Sequence, residues 1–407
     1  MIDFPNRNGL IGVDGAQISW QRGTDHVIAK AEHSQGCHTE GFVSINQSQP
    51  ILRRTRPQIA SIQILRGAAA VAVIIAHTYG IIGVKNGVSG YPTLGLGAAG
   101  VDIFFVVSGF VMVISSEGLA GTASGPTRFM SSRLSRLVPL YWTVTSIMLC
   151  YFLFVRKGGL SAANYDWASV AASYLFIPYP MLNGVYMPLV GVGWTLNYEM
   201  FFYVVFAAGL FVPGRIGTVG VAALLVLVGL FGRKLPLPGS LSYLSDPMLV
   251  EFTFGVGIAL AFSRGARLPA PVAYAALLLG LGFLASGLAS TDDFPRYLVW
   301  GIPSALIVSG LVSLKDDYTA AHWKLPRLLG DASYSLYLIH PLTMAGLDQL
   351  LGRLFLPGHP FLFGPLLVLA SMAIGILCYW FFERPLVGWV RLIMTAYRRH
   401  QTRSAVI

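Results

Sequence analysis

Residues 59–82, IASIQILRGAAAVAVIIAHTYGII, decide how the chain is read. The run is long and apolar enough to cross a bilayer, which needs about 20 such residues, yet it carries Arg66 and His77. An arginine near the centre of a spanning helix costs about 2.5–3.5 kcal/mol on insertion scales, so such a residue normally faces protein, water or a ligand. Eleven positions separate the two residues. At about 100° per residue that is three turns and a small remainder, which puts both side chains on one helix face. At 1.5 Å per residue they stand ~16 Å apart along the axis. One face therefore offers a cation at one depth and a titratable imidazole at another.

Outward from this stretch, the composition repeats the message. The chain is 55% hydrophobic and 11% charged, against about a quarter charged in ordinary globular domains. It reads as an all-α polytopic membrane protein. The net charge of +10 would suggest nucleic acid in a soluble chain, but here lysines and arginines punctuate apolar runs and act as topology signals. Nucleic acid is not expected as a partner; membrane lipid is. The three cysteines are scattered, Cys150 and Cys378 inside apolar runs, so neither a disulfide framework nor a zinc site is indicated. His26, His33 and His38 fit no standard metal spacing, and no metal is expected.

Residues 1–57 mix Gly, Asn, Gln, Ser and His and end in the basic cluster Arg53, Arg54 and Arg56; without evident periodicity they are expected to be a disordered cytoplasmic tail, with no cleavable leader. After the first span, apolar segments recur near 95–115, 137–155, 194–212, 217–232, 247–263, 270–288, 296–314, 329–350 and 362–382, which gives about ten transmembrane helices. Residues 168–178 are too short to span and end in prolines, so a re-entrant or interfacial piece is expected there. The polar boundaries give a membrane domain over 58–386 and a basic cytoplasmic C-terminal tail over 387–407. With the N-terminus inside, seventeen lysines and arginines from Arg53 onward fall on the inner side and seven on the outer, Arg66 in the span aside. That bias places both termini in the cytoplasm, Arg66 in the inner half of the first span and His77 in the outer half.

Several polar groups interrupt the spans. GLGAAG at 95–100 has the letters of a dinucleotide fingerprint but opens an apolar span with no strand before it; small residues there suit close helix approach. GVDIFFVVSGF puts Asp102 at the outer end of the second span, level with His77. A carboxylate there could orient a histidine base or cap exposed N–H groups at a helix start; spacing leaves both open. RFMSSRLSRLVPLYW supplies Arg128, Arg133 and Arg136 on the inner side, either as a phosphate grip or as a positive-inside anchor. GWTLNYEMFFY brings Trp194, Asn197, Tyr198 and Glu199 to the outer end of the fourth span, where Glu199 needs a partner or a function. LGDASYSLYLIHPL sets Asp331, Ser333, Ser335, Tyr337 and His340 along the ninth, with Ser333, Tyr337 and His340 on one side. A polar stripe of that kind lines a cavity or forms a hydrogen-bonded seam.

Taken together, Arg66 with His77, GVDIFFVVSGF, the RxxR of Arg133 and Arg136, GWTLNYEMFFY, ASYSLYLIHPL and FFERPL resemble the acyltransferase family 3 over about residues 59–386, most nearly its exopolysaccharide-modifying branch. The resemblance implies a bacterial inner-membrane O-acetyltransferase with acetyl-CoA as donor and no permanently bound cofactor. The implied acceptor is an exported or surface polysaccharide or its lipid-linked oligosaccharide precursor. Polysaccharide assembly proteins are an open question as partners. His77 is then the general base, Asp102 and Glu199 its catalytic companions, and Arg66, Arg133 and Arg136 the donor site. Trp194, Asn197, Tyr198, Ser335 and His340 become candidates for holding the acceptor. Only 387–407 follow the last span, so no esterase-like domain of the kind many relatives carry is expected in this chain. The rival from another class is a transporter or flippase, against which stand the arginines gathered on one side. A lipid-linked sugar transferase would need acidic metal clusters in loops, and the adjacent pairs Asp292–Asp293 and Asp316–Asp317 fall on opposite sides of the expected topology.

Overall fold

In the computed structural model the chain divides into residues 1–57 and 58–407. The residues described are 8–13, 16–22, 27–33, 60–85, 95–287, 291, 293–314, 323–355 and 360–404. His26, His38, Arg53, Arg54, Arg56, Asp292 and the pair Asp316–Asp317 lie outside them.

Of the N-terminal unit, 8–13, 16–22 and 27–33 are described. Its backbone forms a three-stranded antiparallel meander, β1 (Asn8–Val13), β2 (Ala16–Arg22) and β3 (Val27–His33), in the order β1-β2-β3. Ile11 stands opposite Ile18, and Ile18 opposite Ala31. The signal is the period-two alternation of AQISWQR, which a search for helical periodicity passes over.

Residues 58–407 are helical throughout their described secondary structure, apart from an isolated bridge between Pro180 and Tyr186. The helices are α1 (Ala60–Lys85), α2 (Gly95–Ala98), α3 (Gly100–Ser116), α4 (Gly125–Cys150), α5 (Trp167–Tyr174), α6 (Trp194–Gly209), α7 (Gly214–Phe231), α8 (Gly239–Leu244), α9 (Leu249–Ser263), α10 (Ala270–Ser286), α11 (Ile302–Ser313), α12 (Lys324–Asp331), α13 (Ser333–Phe355), α14 (Pro360–Cys378) and α15 (Arg384–Ser404). Wide turns of π geometry extend α4 at Tyr151–Val155 and α14 at Tyr379–Glu383, and another leads into α11 at Tyr297–Gly301.

Four of these segments are long and apolar enough to cross a membrane: Ala60–Val84, Gly125–Val155, Gly214–Lys234 and Leu362–Met394. Four more, Gly100–Ser116, Leu249–Ser263, Ala270–Ser286 and Tyr297–Ser313, are apolar but shorter. Only 22% of the apolar window of Gly214–Lys234 is buried inside the protein. Its Ile216 and Leu227, like Leu278 and Leu279 of α10 and Leu369 and Leu377 of α14, point outward. Apolar surface on this scale is stable only against hydrocarbon, so the chain is an integral membrane protein.

The expected interfacial piece is α5, two turns long, closed at its start by Asp166, which accepts hydrogen bonds from the Ser169 amide (2.7 Å) and hydroxyl (2.5 Å). Its flanks expose Trp167, Leu175 and Ile177.

The core sits where α3, α6 and α9 meet. Phe252 of α9 is stacked between Phe105 of α3 and Phe202 of α6, with ring centroids 4.6 and 4.5 Å apart. Helices approach closely at small residues. A Cβ on Gly100 would lie 2.6 Å from the Ala69 carbonyl oxygen, and one on Gly97 2.6 Å from the Ala76 Cβ, so the glycines of GLGAAG serve close packing on α1.

Candidate active site

A cleft between α1, α3, α4, α6 and α13 encloses about 780 Å³ including its open mouth. Arg66 of α1 and Arg133 and Arg136 of α4 gather at it, although α1 and α4 are far apart in sequence. RxxR at helical spacing sets Arg133 and Arg136 on neighbouring turns of α4. Each held guanidinium has its own tether. Arg66 donates to the Gln63 side-chain oxygen (3.1 Å), and the Gln63 amide donates to Asp331 (2.9 Å) at the end of α12. Arg133 donates to the Ser115 hydroxyl and lies over the Phe129 ring.

One carboxylate shares the cleft. α6 turns Thr195, Glu199 and Tyr203 to it at intervals of four residues; Glu199 accepts from the Ser108 hydroxyl (3.3 Å) and from the Tyr203 hydroxyl. Glu199 therefore belongs to the arginine cleft and not to the neighbourhood of Trp194 and Tyr198.

The other wall is α13. Ser333, Tyr334 and Tyr337 line the cleft, and the Tyr337 hydroxyl lies 2.9 Å from the Thr195 hydroxyl. One turn on, His340 is fully buried, its ring centroid 6.0 Å from that of Tyr337. His340 Nε2 is 3.3 Å from Nδ1 of His77, whose own ring is exposed. The two rings are tilted by 55° with centroids 4.9 Å apart. His77 Nδ1 also sits 3.0 Å from the Val73 carbonyl oxygen, and His340 Nδ1 3.1 Å from that of Leu336. Along α3 the cleft is lined from Val101 to Met112, ~16 Å of helix at 1.5 Å per residue. Neither His77 nor His340 lines it; the pair lies beyond Tyr337, past the end of the α13 wall.

Several expected site residues are engaged elsewhere. Asp102, a candidate to orient His77, is fully buried and accepts from Arg296 with both oxygens, at 2.9 and 2.8 Å. Arg296, counted in the sequence as an outer topology charge, stacks its guanidinium over Trp300 at 4.5 Å. Glu251 of α9, fully buried, is their neighbour. Asp102 sits on the side of α3 that packs on α9 and α11, away from α1. Ser335 donates its hydroxyl (2.6 Å) and its amide (3.2 Å) to Glu383, so it ties α13 to the FFERPL segment. Tyr198 donates to the Tyr243 carbonyl (2.8 Å) and meets Trp194 edge to face at 6.0 Å. Asn197 is buried. None of Trp194, Asn197 and Tyr198 lines the cleft. His340, expected at the acceptor, touches His77 instead.

What the sequence reading missed was the set of tethers: Gln63, Ser108, Ser115, Thr195, Tyr203, Glu251 and the role of Arg296. Two signals were present. Thr195, Glu199 and Tyr203 form a stripe with a period of four, and Glu251 is an acid inside an apolar run that calls for a partner.

Comparisons with known proteins give the family. Residues 59–380 match the family described as Acyltransferase domain. The exopolysaccharide production protein ExoZ of Rhizobium meliloti (strain 1021) is 34% identical over 296 residues, 72% of this chain and 90% of the relative. The acyltransferase MdmB of Streptomyces mycarofaciens is 22% identical over 286 residues, 63% and 70% of the two chains. Protein 2 in the picA locus of Rhizobium radiobacter is 29% identical over 158 residues, 35% and 78%. No solved structure matches the chain. With four-fifths of the protein under a single family match, the chain belongs to the acyltransferase family 3.

Proposed function

We propose that the protein is an inner-membrane O-acetyltransferase with both termini in the cytoplasm and about ten spans, which moves an acetyl group from cytosolic acetyl-CoA to a hydroxyl of an exported polysaccharide or its lipid-linked precursor. The observation that carries the reading is a cleft lined by three arginines with an exposed histidine beyond its Tyr337 wall, reached through His340. Arginines grip phosphates bidentately and retain their charge in a partly dry site. They suit the anionic end of acyl-CoA, and the length of the cleft suits its thin acyl-bearing arm. The exopolysaccharide relative ExoZ supports the acceptor class.

In this reading His77 Nε2 accepts the proton of the acceptor hydroxyl as the new C–O bond forms at the thioester carbonyl. When the C–S bond breaks, His77 returns that proton to the departing thiolate. Arg66, Arg133 and Arg136 hold the donor throughout, and Glu199 with Ser108 and Tyr203 fixes the wall against which the arm lies. A translocation path would also run through such a bundle, and it is the family membership that separates the two readings.

The test is His77→Ala, with transfer of radiolabelled acetyl from acetyl-CoA to endogenous acceptor followed in membrane vesicles. Loss of a general base lowers the rate by about 10²–10⁴ while the protein remains inserted. Retention of full transfer by this variant removes His77 from the chemistry.

A further inference from the structure

We infer that His340 is the positioning residue of the reaction, the group that holds His77 in its base-competent tautomer and accepts the proton-bearing side of the imidazolium when it forms. The inference rests on the reading of His77 as general base.

Three distances carry it. His340 Nδ1 faces the Leu336 carbonyl at 3.1 Å, and a carbonyl can only accept. That nitrogen therefore bears the hydrogen. Pro341 follows directly and has no N–H to give the Tyr337 carbonyl, which interacts with the same ring. The ring is fully buried, and its polar and aromatic neighbours among the described residues are two carbonyls, the Tyr337 ring and His77. A neutral ring protonated at Nδ1 presents a lone pair at Nε2. That lone pair meets His77 Nδ1 at 3.3 Å. His77 Nδ1 must then be the donor, and it also faces the Val73 carbonyl at 3.0 Å. The opposite arrangement, with the hydrogen on His340 Nε2, would set a nitrogen lone pair against a carbonyl oxygen at both Leu336 and Val73. Two repulsions exclude it.

The consequence falls on the exposed side of His77. With Nδ1 protonated, Nε2 is the free base, and proton uptake there creates an imidazolium whose Nδ1–H is already pointed at a neutral acceptor. This is the service a buried carboxylate performs in hydrolase triads, done here by a second imidazole because Asp102 is committed to Arg296. No charge is buried in the resting state, which suits a site inside a membrane domain. The balance of the transfer is unchanged: the hydroxyl proton goes to His77 Nε2 and from there to the thiolate, and His340 gains and loses nothing over the cycle.

The test compares His340→Gln with His340→Leu in vesicles at equal protein level. Gln can present an acceptor oxygen near the Nε2 position; Leu keeps bulk and presents none. Expected are transfer within about tenfold of the parent for Gln and a loss on the order of 100-fold for Leu, within the span of general-base effects, with KM for acetyl-CoA unchanged in both. Equal activity of Leu and parent, or equal loss in Gln and Leu, overturns the inference. Nitrogen NMR of ring-labelled histidine in the purified parent is the second readout and stands even where the Leu variant fails to fold. A protonated Nδ1 and a free Nε2 on His77 are expected, and the reverse pattern overturns it. Failure of the underlying reading is distinguishable, since it shows as an active His77→Ala whatever the His340 variants do.

Discussion

Asp102 and His340 exchange the parts that their sequence neighbourhoods suggest. A carboxylate level with His77 is the natural partner for an imidazole, yet Asp102 lies under Arg296 with both oxygens engaged, its side chain wholly enclosed and that of Arg296 25% exposed. Breaking one side of a buried pair leaves an uncompensated charge and costs about 3–5 kcal/mol. Asp102→Asn is therefore expected to lower the unfolding midpoint of the purified protein clearly, and Asp102→Asn with Arg296→Met to recover most of the loss. If Asp102 oriented His77, the single variant would instead lose transfer at unchanged stability and the second change would restore nothing. The place of Asp102 in the first turn of α3 was readable from the sequence. Its direction was not, because which side of α3 faces α1 depends on how α9 and α11 pack. The same limit explains Ser335, whose neighbours on α13 line the cleft while its own hydroxyl turns to Glu383.

Among the elements, α3 is the one whose placement decides the cleft, since it carries Ser108 and Ser115 to the polar groups and Asp102 to the opposite side. Its contact with α9 is made at glycines. A methyl on Gly109 would collide with the Phe252 carbonyl, and one on Gly255 with the Val106 carbonyl, both backbone atoms that cannot step aside. Gly255→Ala is thus expected to push the two helices apart and unstack Phe105 and Phe252, lowering thermal stability in detergent and donor affinity together, whereas Gly257→Ala, where a methyl meets nothing within 4 Å, leaves both unchanged. Equal behaviour of the two variants would show that the crossing is not glycine-limited. Element type was legible for a plain reason: the apolar runs of 59–382 are helical, because a bilayer allows the backbone few other ways to satisfy its hydrogen bonds, although 95–115 divides between α2 and α3 and 329–350 between α12 and α13. The π turn at Tyr379–Glu383 was not legible. It lets Phe381 and Phe382 face outward while Glu383 is buried against Ser335, and nothing in the letters FFERPL marks the extra residue in the turn. The meander of residues 8–33 was visible only as a period of two in a stretch scanned for longer ones.

At the scale of the whole molecule, the cleft extends ~16 Å along α3 by helical rise, about half of a hydrocarbon core of roughly 30 Å. Arg66, Arg133 and Arg136 line one part of it and Thr195 and Tyr337 another, with Ser115 tethering Arg133 and His340 standing one turn beyond Tyr337, outside the lining. A reaction arranged this way needs neither substrate to cross: the donor remains anchored by its phosphates on one side while the acceptor meets the acyl carbon from the other. The expectation is vectorial. In sealed right-side-out vesicles, acetyl-CoA trapped inside should acetylate acceptor presented outside, with free CoA accumulating inside only, and acetyl-CoA added outside should give no transfer. Arg133→Ala with Arg136→Ala removes two charge-assisted contacts of about 1.5–3 kcal/mol each, so KM for acetyl-CoA should rise at least ~10-fold, a factor that each 1.4 kcal/mol of lost binding supplies, while the rate at saturating donor is kept. Transfer from outside donor would place the phosphate grip on the wrong face and return the arginines to the role of topology anchors. A double variant with unchanged KM but reduced rate would instead make them part of the acyl-transfer step, which their distance from His77 along the cleft argues against.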